Sequence, residues 1–378
     1  MTVSSYLSRY GNQATTLATP PRRYLYAMVI PIYDESPDCL DKVLSHHQKT
    51  DVLTIAVVNA PDDAPLDALG RTQHLTSTLD GRPATMVLDH CTQAQLPRRQ
   101  GVGLARKIGT DTALALHQDG WIKSPWLFQT DADVLLPREY FHTPPGTGAV
   151  VFKHQHVAPK TGPNAQAIKK AAELYDAHMS YYIAGLAWAG STYAFPTLGS
   201  TIAVHAESYA RVRGYPKRNA AEDFYLLNKI AKVDEVRFEP TVELIIQARD
   251  SARVPFGTGP ALRKIVQLLE LDPSGATYLS YHPNSFVLLR DTLRELASLA
   301  QSTEPFALSE KASQLLHDLG FDKLHNTLHA KYRSQSQRAH VLREWFDGFR
   351  TLRFIHEARR FNPDQPLLQT LERLPWNA

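Results

Sequence analysis

The chain has 378 residues, enough for about two domains, and its 43 % hydrophobic and 21 % charged composition is that of an ordinary globular protein. With 41 Lys+Arg against 38 Asp+Glu, a formal net charge of +3, it lacks the basic excess of a nucleic-acid binder. Two cysteines, Cys39 and Cys91, exclude a disulfide framework and a cysteine zinc site, and a reduced, cytoplasmic setting is expected.

Residues 1–23 are polar and expected to be loosely ordered, and Met1 to Pro20 shows no apolar core of the signal-peptide kind. Tyr24–Ile32 reads as a buried strand ending in Tyr33-Asp34-Glu35, and Asp38–His46 has helical periodicity. Val52–Val58 is a second buried strand, closed by Asn59 and the turn residues Pro61-Asp62-Asp63. After an amphipathic stretch over Leu66–Leu79, Ala84–Leu88 gives a third strand, stopped by Asp89-His90. This alternation predicts a doubly wound, mostly parallel sheet with flanking helices. Each strand end carries a polar residue able to face a ligand: Glu35, Asn59 and Asp89.

Arg99–Gly109 (RQGVGLARKIG) leads into a helix running through His117. A bare glycine pair is a weak dinucleotide signal, Arg106 stands at the third glycine position, and no strand precedes the motif, so a Rossmann oxidoreductase is excluded. Two readings are left for this helix start: an anion site strengthened by Arg106 and Lys107, or a surface helix with solvated cations.

Trp126–Pro137 (WLFQTDADVLLP) places an apolar strand before Asp131 and Asp133. In an extended chain residues two apart point the same way, and two carboxylates side by side repel unless a cation joins them. A divalent ion, Mg²⁺ or Mn²⁺, bound through oxygen and shared with substrate phosphates, suits that pattern. A loop in which Asp caps the turn explains the same residues. Lys153, His154 and His156 alternate on a strand after Gly148, and His205 reads as structural. Met179–Val204 is uncharged, but Gly185, Gly190, Pro196 and Gly199 and its polar scatter make it buried core and site lining, with no transmembrane segment expected. Glu222-Asp223 open a helix over Phe224–Ile230, where acids favour the helix dipole. Ser251–Gly259, with Arg253, reads equally as a lid over a phosphate or as a linker. From Ala261 onward the pattern is helical, without strand or chemical motif.

VIPIYDE (Val29–Glu35), VVNAPDD (Val57–Asp63), GVGLARKIG (Gly101–Gly109), QTDADV (Gln129–Val134), GSTIAVHAESYARVRGY (Gly199–Tyr215) and AEDFYLLNKI (Ala221–Ile230) together resemble, in order, the inverting family-2 glycosyltransferases of the GT-A fold. The resemblance implies a GT-A-type α/β sheet over residues 24–260, with a nucleotide-sugar-binding half (24–136) and an acceptor-side half (137–260). An α-helical accessory domain over residues 261–378 would shape the acceptor site or mediate self-association. It implies a donor site at Pro31, Tyr33, Glu35, Asn59, Asp89, Arg106 and Asp131, with Arg253 on the closing loop. Asp133, with Asp131, would coordinate the divalent metal (the DXD motif), and Asp223 would be the general base, with Glu222 and Trp188 on the acceptor side. Asn59-Ala60 replaces the usual Asp-Asp, which leaves the nucleotide base open, with UDP-sugars foremost. The Gln-x-x-Arg-Trp motif of processive members is missing, which points to single transfers to a hydroxyl acceptor. The alternatives are a sugar-1-phosphate nucleotidyltransferase, which would want a basic glycine-rich loop where Pro31–Glu35 stands, or a catalytically silent scaffold.

Overall fold

The structure, a computed structural model, describes residues 1–11, 19–47, 51–92, 94–142, 146–162, 164–249, 257–304, 306–372 and 374–376. The chain forms two compact units, Met1–Ala165 with Phe195–Ala261 and Gln166–Ala194 with Leu262–Ala378.

An eight-stranded sheet runs through the first unit. Its strands are β1 (Tyr26–Ile32), β2 (Val52–Asn59), β3 (Thr85–His90), β4 (Trp126–Gln129), β5 (Val134–Leu135), β6 (Ala149–Val157), β7 (Ile202–His205) and β8 (Val236–Gln247). They stand in the order β3-β2-β1-β4-β7-β6-β8-β5. The β3-β2, β2-β1, β1-β4 and β6-β8 pairs are parallel. β7 lies antiparallel between β4 and β6, and β5 antiparallel on β8. Every residue of β2 is buried, the continuous apolar run expected of a strand covered on both faces.

The helices of this unit are α1 (Val3–Tyr10), α2 (Pro37–His47), α3 (Leu66–Leu79), α4 (Gly101–Gln118), α6 (Ala206–Arg211) and α7 (Glu222–Val233), with α5 (Ala165–Ala189) intervening in sequence. α4 packs directly on the sheet. A Cβ at Gly109 would come within 2.4 Å of Val29 and 2.8 Å of Val57, so glycine there sets how closely helix and strands approach. Over Val3–Tyr10 the expected loose start is replaced by α1, and residues 12–18 of that segment lie outside the described residues. Tyr6 is fully buried, and its hydroxyl donates to Asp111 Oδ1 at 2.7 Å. Lys107 Nζ meets Asp111 Oδ2 at 2.7 Å, and Tyr209 donates to Asp111 Oδ1 at 3.0 Å. Aromatic burial and this satisfied polar cluster hold the helix down.

The second unit is mainly helical, and the expectation of no strand after Ala261 is corrected by a short antiparallel pair, Leu279–Ser280 with Gln365–Pro366. It contains α5, whose 166–189 part sequence reading kept with the first domain, and the run from α8 (Thr258–Leu271) through α9 (Pro283–Gln301) to the C-terminal helices. The reason lies in one face of α5. Gly185 seats the ring of Phe286, a Cβ there reaching within 2.6 Å of it, and Tyr181 donates to the Tyr281 carbonyl at 2.7 Å. Tyr181, Leu186 and Ala189 join a core with Phe286, Leu289, Phe354 and Leu367. Among the described residues, no helix is long and apolar enough to cross a membrane.

Parallel pairing brings the C-terminal ends of β1, β2, β3 and β4 to one edge of the sheet. β7, reversed, starts at that edge, with Ile202 opposite Gln129. β8 ends there, tied to the turn after β4 by the Gln247 N–H donating to the Asp133 carbonyl at 3.0 Å.

Candidate active site

The edge is built around the turn after β4. Thr130 N–H still donates to the Val29 carbonyl at 3.1 Å, but Val134 N–H then turns back to the Asp131 carbonyl at 3.3 Å. Asp131 and Asp133 therefore sit in a turn and not in an extended strand. Strand alternation does not govern them, and their carboxylates meet two different arginines.

The first is Arg106, in the second turn of α4. Its side chain is only 3 % exposed and binds Asp131 Oδ1 at 2.7 Å and Glu222 Oε1 at 3.0 Å. A third N–H reaches the Thr130 carbonyl at 3.4 Å. Gly199, just before β7, makes room for it: a Cβ there would lie 2.8 Å from the guanidinium. Glu222 and Asp223 open α7 behind Ala221, whose φ of 60° is a left-handed conformation costly for a residue with a Cβ. Burial, helped by the neighbouring Asp223 charge, pushes the Glu222 carboxyl up to about 7 against the pull of Arg106. Burial raises Asp223 as well, although its Oδ1 accepts the Phe224 N–H at 2.6 Å. Asp223 is partly exposed, whereas Glu222 is buried.

The second arginine is Arg249, two residues past the end of β8. Its two terminal nitrogens grip the Glu35 carboxylate at 2.8 Å each, and one of them also reaches Asp133 Oδ2 at 2.8 Å. Sequence reading missed this residue and looked four positions on, to Arg253, which lies outside the described residues. The available signal was a cation just after an apolar strand.

Other expected donor residues are engaged differently. Asn59 gives both amide protons to backbone, to the Ile32 carbonyl at 3.1 Å and the Val57 carbonyl at 3.0 Å, so a donor could use only its oxygen. Asp89 Oδ1 caps its own turn, accepting from Cys91 N at 2.9 Å and Thr92 N at 3.0 Å. Pro31 and Tyr33 sit partly buried at the end of β1. The anion site expected at the start of α4 is corrected. Gly103 N–H donates to the Arg218 carbonyl at 2.9 Å, and a Cβ there would meet the Pro216 and Arg218 carbonyls at 2.6 and 2.5 Å. Arg106 and Lys107 are in buried ion pairs, so neither is a solvated cation waiting for a phosphate. His205 is structural as expected, its Nδ1 capping α6 through the Glu207 N–H at 3.3 Å. Trp188 belongs to the second unit, where Arg290 stacks on its ring at 4.4 Å.

No protein-family model matches the chain, and no curated protein matches it. Among solved structures it is similar to the mannosyltransferase PcManGT from Pyrobaculum calidifontis, in complex with GDP-Man and Mn²⁺. That likeness has 17 % identity and a TM-score of 0.34, over 90 % of this chain and 91 % of that one. The functional reading rests on the site itself.

Proposed function

We propose that this chain is a metal-dependent glycosyltransferase that moves a sugar from a nucleoside-diphosphate sugar to an acceptor hydroxyl, with inversion and one transfer at a time. One observation carries it. At the C-terminal edge of the sheet, Glu35, Asp131, Asp133, Glu222 and Asp223 gather around two arginines, Arg106 and Arg249. An excess of carboxylate beside a strand-end crevice fits a divalent cation, and hard oxygen donors suit Mn²⁺ or Mg²⁺. The Arg249 guanidinium, seated across Glu35 and Asp133, shows that this spot already takes positive charge. The ordered resemblance of the sequence motifs supports the same reading.

Asp133 and Asp131 would hold the metal, which supplies Lewis-acid stabilisation of the departing diphosphate. The chain's own groups do the rest. Arg106, itself buried, ties Asp131 and Glu222 into one network, so the donor-side acid and the start of α7 are fixed relative to each other. Asp223, partly exposed and raised in proton affinity by burial, accepts the proton of the acceptor hydroxyl. Glu222, bound to Arg106, is a positioning residue. UDP-sugars are the first donors to test.

Thermal shift against nucleotide-sugars, with and without Mn²⁺, tests the donor class. A ligand at about 100 times its dissociation constant stabilises by roughly 2.7 kcal/mol. Asp223→Asn keeps shape but cannot take a proton, so kcat should fall about 10²–10⁴-fold with donor Kd unchanged. Near-normal turnover would remove Asp223 from the role, and a product retaining the donor's anomeric configuration by NMR would remove inversion.

A further inference from the structure

We propose that Arg249 is a displaceable counter-cation on the metal site: divalent metal binding to Asp133 exchanges with this guanidinium. The inference rests on the metal-dependent reading above and adds a control on it.

The geometry is that of a clamp. Arg249 holds both oxygens of Glu35 at 2.8 Å and, through one of the same nitrogens, Asp133 Oδ2 at 2.8 Å. The side chains of Glu35 and Asp133 are 6 % and 14 % exposed, so neither charge is well solvated and each needs a positive neighbour. A divalent ion on the Asp133 carboxylate would sit about 2 Å from its oxygen. Guanidinium and metal would then be like charges within a few ångströms, in surroundings that screen poorly. One of them must leave Asp133.

Arg249 is built to be the one that moves. It lies past the last residue of β8, its side chain is 28 % exposed, and its paired contact with Glu35 survives release of Asp133. Arg106 makes the opposite case: 3 % exposed, held by two carboxylates and a carbonyl, with Gly199 pressed against it. The consequence is an order of events. Metal alone binds weakly, because it must break an ion pair. Metal arriving with a nucleoside diphosphate binds better, because the phosphates bring oxygens to the metal and negative charge to the released guanidinium.

The test measures binding of Mn²⁺ alone by electron paramagnetic resonance, on the wild-type chain, Arg249→Gln, Arg249→Lys and Asp133→Asn. It is then repeated with saturating UDP or GDP. Arg249→Gln should bind Mn²⁺ about tenfold more tightly than wild type, with Arg249→Lys between them. Nucleoside diphosphate should narrow that gap, and Asp133→Asn should abolish binding. If wild type binds Mn²⁺ through Asp133 while Arg249→Gln binds it equally or more weakly, the exchange is wrong and the metal site stands. Should wild type bind no Mn²⁺ even with nucleoside diphosphate, the metal-dependent reading falls and the exchange with it. If Arg249→Gln does not fold, Arg249→Lys decides: a smaller gain in affinity supports the exchange, and an unchanged one overturns it.

Discussion

The sheet edge holds two arginines that do different work with the same chemistry. The Arg106 guanidinium itself is closed in by two carboxylates, a carbonyl and a glycine-sized gap, and of its carboxylates Glu222 is buried while Asp131 keeps contact with solvent. Around Arg249 the same kind of ion pairing sits at a strand end with partial access to water. Burial separates them. A sealed ion pair ties elements together and cannot be exchanged cheaply, whereas a half-open one can give up a partner to an incoming cation. The first node joins α4, the turn after β4 and α7; the second joins β1, that turn and the end of β8.

The largest expected effect comes from emptying the sealed node. Arg106→Met leaves Asp131 and buried Glu222 without their cation and should cost about 3–5 kcal/mol. Arg249→Gln should cost less, about 1–2 kcal/mol, because the guanidinium is 28 % exposed and water can enter as it is removed. Urea denaturation of both variants checks the ranking; equal losses would erase the distinction between the nodes.

A second effect sharpens the comparison through pH. The Glu222 carboxyl is raised from its ordinary 4.5 to about 7, so folding favours its protonated form. Its contribution is fully present below about pH 4.5 and is lost as pH rises toward 7. Glu222→Gln should flatten this decline, leaving the slope that Asp223 contributes in the same direction. An unchanged profile in Glu222→Gln would place the titration elsewhere.

A third effect comes from crowding. Gly199→Ala puts a methyl group 2.8 Å from the Arg106 guanidinium, which is pinned on its other sides. The loss should be about 1–3 kcal/mol. A neutral result in thermal denaturation would mean that the sealed node can give way.

The sheet half of this picture was legible in the sequence, and the ion-pair half was not. Buried parallel strands announce themselves as apolar runs, so Val52–Val58 and Tyr24–Ile32 fell almost where β2 and β1 lie. Spacing singled out Asp131 and Asp133, and the family resemblance singled out Glu222 and Asp223. Partners across long separations leave no such trace. Nothing near Arg106 in sequence says that it bonds Glu222, 116 residues away, and nothing near Arg249 points to Glu35, 214 residues back. A cation read from sequence is by default solvated, and Arg106 and Lys107 were therefore read as attracting an external anion. Local polarity misled at the amino terminus too, where the single residue Tyr6 anchors a helix that composition made look loose. The glycines of α4 invited a phosphate-binding reading, yet Gly103 and Gly109 serve close packing.

The most direct test is calorimetry of UDP and GDP binding in the presence of Mn²⁺, comparing wild type with Asp133→Asn. The side chain of Asp133 is 14 % exposed at the sheet edge, and loss of its negative charge should leave the fold intact. If this edge is a metal-assisted donor site, wild type binds at least one of the two nucleotides in a Mn²⁺-dependent way and Asp133→Asn loses that dependence. Equal affinity in the folded variant, with Mn²⁺ still required, would contradict the assignment of the metal to this turn.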